Sequence, residues 1–203
     1  MARVPMTGAD LKREYLDALR QTGWDDSAPL REAGVGGPGL SVGIALAGIS
    51  FSRGGAYQPD RDGGAAFVLP VRVDNPLSPE AADPVDAVRH GEIVDLLAFS
   101  VAFPQRWALR TGVATWLGAV EPQYLEPEPT PIWRTPLRWL GNDCHGLVLL
   151  SRDRRDRYRV LTCLDAIVAE DEAHAAELRK LLEQPWLAPP VYVRRGREVR
   201  NAA

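Results

Sequence analysis

The sequence predicts an α/β protein: a β-rich N-terminal half with an antiparallel hairpin, followed by a C-terminal β-α-β-α unit with parallel strands. Three observations carry that expectation. Short apolar runs with period-two alternation occupy residues 41–51 and 66–73. A proline-dense stretch interrupts the chain. Beyond it, apolar runs alternate with helix-periodic, charge-capped segments, the pattern of parallel strands joined by crossover helices. The expected organisation is 1–120 as a β-rich half with an N-terminal helix, 121–136 as a Pro-rich strap and 137–203 as an α/β half. At 203 residues, one large core or two small ones are affordable.

Thr7-Gly8-Ala9-Asp10 has the form of a capping box with Asp in place of Glu, and Leu11, Tyr15 and Leu19 recur at helical spacing. A helix over 8–21 follows, stopped by Gly23, with Lys12, Arg13, Asp17 and Arg20 on a solvated face. Gly34, Gly36, Gly37 and Gly39 invite a phosphate loop, but no strand precedes them, so they read as a flexible connection. SVGIALAGISF then reads as a strand with Val42, Ile44 and Leu46 on one face. Ala66–Val73 forms its hairpin partner across an enlarged polar loop, and Pro70 marks that partner as an edge strand. Asp60 and Asp62 do not make an EF-hand, because no Glu follows at the required spacing. Residues 74–84 read as irregular, 85–90 as a short helix, 92–100 and 107–110 as strands, and 113–118 as a short helix.

Pro122, Pro127, Pro129, Pro131 and Pro136 predict an extended strap that excludes a helix or a central strand. Its Tyr124 and Trp133 are expected to tuck into the core, the alternative being a ligand for a partner's aromatic groove. Thr135-Pro136 caps a short helix closed by Gly141. LVLLS (147–151) reads as a strand covered on both faces. Residues 152–164 read as a helix pairing Asp153 with Arg157, and 165–169 as the second parallel strand. A helix from Asp171 buries Leu178, Leu181 and Leu182 and ends at Pro185; VYV (191–193) is a third strand.

Composition narrows the function classes. The net charge of −3 gives no general grip on nucleic acid. Of 24 basic residues only Lys12 and Lys180 are lysines, a bias typical of GC-rich coding that weakens the meaning of arginine clusters. No apolar run is long enough to span a membrane, and no secretory signal is read at the N-terminus. Cys144 and Cys163 match neither a disulfide framework nor a zinc pattern. A cytoplasmic protein is expected.

Parallel strands place ligand sites beyond their carboxyl ends. Ser151, Arg152 and Asp153 leave the first strand there, and Glu170, Asp171, Glu172 and His174 leave the second. Cys144 and His145 fall at the opposite edge, about 17 Å away across a five-residue strand, so Cys144 is not a partner of the acids. Ser151, Asp153, Glu170, Asp171 and His174 are the candidate metal or phosphate edge, with Mg²⁺ as the cation that oxygen ligands suit. IVAEDEAHAAEL resembles, over about a dozen residues, the acidic strand-end motif of Toprim domains, which implies Mg²⁺-dependent phosphoryl chemistry. It departs from that motif at Glu172 and His174, and no Glu ends the preceding strand, so no family is assigned. The same acids open a helix whose last turns carry Arg179 and Lys180, and capping with dipole pairing accounts for them all. Arg152, Arg155 and Arg159 are candidate nucleic-acid contacts, with Tyr158 beside them. The leading expectation is a non-catalytic cytoplasmic accessory or interaction protein that requires no cofactor and partners another protein. One alternative is a Mg²⁺-dependent enzyme acting on nucleotides or nucleic acid at this edge. The other is an arginine-mediated nucleic-acid binder.

Overall fold

The computed structural model describes residues 6–52, 55–73, 92–118, 129–183, 192–195 and 198–201. The chain is mixed α/β, with a five-stranded antiparallel sheet and a four-stranded mixed sheet that contains parallel strands. Helix α1 (Gly8–Gln21) opens as its sequence dictates: the Asp10 N–H donates to Thr7 Oγ1 at 3.2 Å, and Asp10 Oδ2 accepts the Thr7 N–H at 3.1 Å. Leu11 and Tyr15 bury its apolar stripe.

Two short helices, α2 (Ala28–Glu32) and α3 (Gly37–Ser41), replace the expected flexible connection. Leu30, Val35 and Val42 anchor the segment in the core. Gly39 has a packing reason, since a Cβ there would sit 2.3 Å from the Leu140 carbonyl oxygen.

The first sheet runs β2 (Tyr57–Pro59), β1 (Ala45–Phe51), β3 (Gly64–Val73), β4 (Glu92–Phe99), β5 (Trp107–Leu109). The predicted hairpin is β1 with β3, and its enlarged loop folds back as β2 on the outer side of β1. Both faces are covered. Ala45, Ile49, Ala66, Val68, Leu96 and Ala98 pack on α1. Phe67, Leu69, Leu97 and Phe99 alternate onto the other face, against residues of the second sheet.

Pro70 lies in a central strand, which corrects the edge assignment. The physical reason is local. The Leu96 carbonyl opposite Pro70 accepts from the N–H of Arg110, the residue just past β5, so Leu96 turns its polar backbone away from β3. The Pro70 nitrogen therefore faces the β1 side, where the ladder begins only at Ala45 opposite Val68. No hydrogen bond is asked of it there.

A register shift between Val71 and Arg72 puts an extra residue, Val94, into β4 beside Asp95. Asp95 is fully buried, and its carboxylate accepts the N–H groups of Leu96, Thr111, Gly112 and Val113 at 2.9 Å and that of Ala114 at 3.3 Å. It fixes the chain leaving β5. Glu14 and Arg110 form a second inward cluster: Arg110 Nε reaches both Glu14 oxygens at 3.0 Å, and Arg110 Nη1 donates to Gln58 Oε1 at 3.2 Å. Tyr57 packs beneath, and burial pushes its hydroxyl pKa up.

The second sheet runs β6 (Trp116–Leu117), β8 (Leu147–Leu149), β7 (Thr130–Trp133), β9 (Ile167–Ala169). Two corrections follow. Residues 113–118 do not form a helix; Trp116 and Leu117 pair antiparallel with β8. The strap contributes the strand that stands between β8 and β9, parallel to both, although proline density argued against any central strand. Thr130 donates its N–H to the Ala166 carbonyl on the β9 side, so the Pro131 nitrogen faces β8, whose ladder starts one residue later at Ile132. Pro122, Tyr124 and Pro127, the expected helix over 85–90 and the Pro185 stop lie outside the described residues.

Helix α4 (Pro136–Gly141) is capped by Thr135 as predicted and buries Trp139 and Leu140 between the sheets. Helices α5 (Arg154–Thr162) and α6 (Glu172–Leu182) cover the far face of the second sheet, with Val160, Leu161, Leu178 and Leu181 on Ile132, Leu147 and Leu149. The segment read as a third parallel strand pairs elsewhere: β10 (Tyr192–Arg195) is antiparallel to β11 (Glu198–Asn201).

Candidate functional site: the carboxyl edge of the second sheet

Strands β7, β8 and β9 all point one way, so their carboxyl ends share an edge. The connection leaving β7 carries α4 across the face toward the first sheet. The connection leaving β8 carries α5 across the opposite face. Adjacent parallel strands whose connections depart to opposite faces open a crevice between their ends, the usual ligand position in an open α/β sheet. Here the crevice measures about 490 Å³ and is lined by Trp133, Ser151, Arg152, Arg157 and His174, with Trp107 and Gln105 reaching in from the first sheet.

Arg134, the residue after β7, organises the acids. Its backbone N–H donates to Glu170 Oε1 at 2.5 Å. Its guanidinium holds both oxygens of Asp171, with Nη2–Oδ1 at 3.1 Å, and approaches Glu177 at 3.6 Å. Asp171 also caps α6 by accepting the His174 N–H at 2.7 Å. The Arg134 hydrogen bond and this cap hold the Asp171 carboxyl well down, at about 2.

His174 is buried, and burial with the nearby Arg134 charge lowers its pKa. Its Nδ1 accepts the Glu170 N–H at 3.3 Å, so the neutral ring carries its proton on Nε2. Ser151 Oγ donates to Asp156 Oδ2 and accepts the Asp153 N–H, both at 3.0 Å. Asp153 is the cap of α5, accepting the Arg155 N–H at 2.7 Å; the structure gives it this role in place of the predicted pairing with Arg157.

The sequence-predicted residues thus gather at one edge but divide into two groups. Glu170, Asp171 and His174 belong to the Arg134 cluster; Ser151 and Asp153 belong to the start of α5. Strand β7 separates β8 from β9, so the two strand ends lie two inter-strand spacings, about 10 Å, apart. Strand β7 stands between the strand ends from which Asp153 and Glu170 leave. Among the described residues no three His, Cys, Asp or Glu side chains are grouped to hold a metal ion.

The predicted arginines also divide. Arg155 and Arg159 are exposed a turn apart on α5, with Arg159 4.0 Å from Asp156. Arg152 lies across Gly55, where a Cβ would meet its guanidinium. Cys144 sits at the amino end of β8, buried, its thiol pushed up to about 12. No helix is long and apolar enough to cross a membrane among the described residues.

No protein-family model, curated protein or solved structure matches this chain. The site therefore stands on its own geometry. Sequence reasoning missed Arg134, Arg157, Trp107 and Glu177. Arg134 was findable, since it ends a strand, but that strand was hidden by its proline. Trp107 reaches the edge from another sheet, and no local signal announces that.

Proposed function

We propose that this protein works by binding, as a non-catalytic accessory or interaction module of the cytoplasm, and that the crevice between the ends of β7 and β8 is where it binds. The observation that carries this reading is the switch point itself: a concave, aromatic-walled opening where the fold sends successive helices to opposite faces. The surrounding polar groups support it. Arg134 with Asp171, and Ser151 with Asp156, are already held by one another, which makes a stiff frame around the opening.

The test is a screen of metabolite mixtures read by the indole N–H resonances of Trp107 and Trp133. Binding at the crevice shifts these two before the other indoles. Shifts confined to other tryptophans relocate the site, and a new product in the same tubes makes the protein an enzyme.

A second contact has its own observation. Phe51 and Phe103 are 47% and 60% exposed, and the Arg106 guanidinium lies over both rings, at 5.8 and 5.9 Å from their centroids. Exposed aromatic and arginine groups of this kind suit a protein partner. The Mg²⁺-dependent alternative would draw on Glu170 and Asp171, which Arg134 already engages. The nucleic-acid alternative would draw on Arg155 and Arg159.

A further inference from the structure

The crevice carries information about its ligand. Arg157, on the first turns of α5, lines it, yet its Nε is buried and has no hydrogen-bond partner among the described residues. A buried guanidinium N–H without an acceptor is unfavourable, and it marks Arg157 as a cation that the fold itself has not paired. Burial also lowers the Arg157 pKa, and Glu177 supplies the opposing charge.

Arg152 enters the same space from the end of β8. Arg134 is occupied by Asp171 and Glu177 and contributes little free charge. Arg152 and Arg157, by contrast, have no carboxylate within 4.0 Å among the described residues, so the crevice holds two guanidinium groups that no ion pair has claimed. Trp107 and Trp133 supply apolar walls, and the Trp133 Nε1–H is already given to the His145 carbonyl at 2.7 Å.

We propose that the crevice binds a small organic oxyanion, a phosphate monoester or a carboxylate, with the charged head on Arg157 and Arg152 and a flat body against Trp107 and Trp133. Either head group presents a pair of oxygens that matches the guanidinium fork better than it would match the point charge of a lysine. The volume suits a molecule of a few rings at most. This assignment rests on the crevice being the binding site.

The experiment is calorimetry of the full chain with phenyl phosphate, benzoate and neutral benzyl alcohol, repeated on Arg157→Gln, Arg157→Lys and Arg152→Gln. Saturable binding of phenyl phosphate or benzoate is expected, weakened at least about tenfold by Arg157→Gln and less by Arg157→Lys. Which of the two acids binds tighter identifies the head group. Absence of binding by both acids, or binding unchanged in Arg157→Gln, overturns the oxyanion assignment. Equal binding of benzyl alcohol with Trp107 and Trp133 shifts overturns it too, while leaving the crevice reading standing. Circular dichroism confirms that each variant is folded; Arg157 is only partly buried, and Arg157→Lys retains charge if Arg157→Gln does not fold.

Discussion

The two sheets use buried charge in opposite ways. In the first sheet the charges face inward and are closed off: Asp95 accepts five backbone N–H groups, and Glu14 and Arg110 saturate each other over Tyr57. In the second sheet the charges sit at strand ends and stay half open, with Arg134 at the end of β7 holding an Asp171 that is more than half exposed. Strand length goes with this contrast. The first sheet contains strands of seven, eight and ten residues and hydrophobic cover on both faces; the strands of the second have two to four residues. Long strands sheltered on both sides can hold a carboxylate in a fixed cage. Short ones end early, and their ends become a surface.

The sharpest way to break the comparison is Asp95→Ala. It removes the shared acceptor of five backbone N–H groups, of which those of Leu96 and Ala114 are buried, and a loss of about 2–4 kcal/mol is expected by urea denaturation. A loss under about 1 kcal/mol would mean that the loop after β5 finds other partners, and the closed-cage view of the first sheet would fail.

The second sheet should answer to pH instead. The folded pKa of His174 lies below its unfolded value near 6.5, so the unfolded chain takes the proton first. Its contribution is complete above about pH 6.5 and declines as pH falls below it. The groups that face it are Arg134, Glu170, Asp171 and Glu177. Urea midpoints at pH 7.5 and 5.5 should therefore differ less in His174→Leu than in the wild type; an unchanged difference would remove His174 as the source. Asp171 acts lower, its stabilisation being present above about pH 4 and lost as pH falls through about 2.

Smaller still is the thiol contrast. Native protein should release colour from Ellman's reagent for Cys163, which is exposed, and not for buried Cys144 until urea is added. Last comes an expected zero: Mg²⁺ or Mn²⁺ titration should give no heat beyond dilution. Heat that disappears in a Glu170→Ala, Asp171→Ala variant would return the acids of the edge to metal binding.

The caps were legible because capping is a local code. Thr7 with Asp10, Thr135 and Asp171 each stand where residue type and spacing placed them. The parallel relation of β8 and β9 was legible too, from the helix between them. The prolines misled for a physical reason. A proline forfeits one donor on one side of a strand, and whether a neighbour is waiting there depends on where that neighbour begins. Pro70 and Pro131 both fall just before a neighbouring ladder starts, a matter of register that sequence alone does not state. The candidate site follows the same division. Ser151, Asp153, Glu170, Asp171 and His174 were placed at the edge by topology, while Arg134 depended on the hidden strand and Trp107 on the packing of two sheets.

The position of β7 has a consequence for how the chain can be cut and built. A fragment beginning at residue 137 would keep β8 and β9 and lose the strand that each hydrogen-bonds, leaving a pair of three-residue segments with nothing to span the space between them. During synthesis from the N-terminus, β7 emerges before either neighbour. Both of its partners, β8 and β9, lie later in the chain, so each pairs with a segment that has already been made.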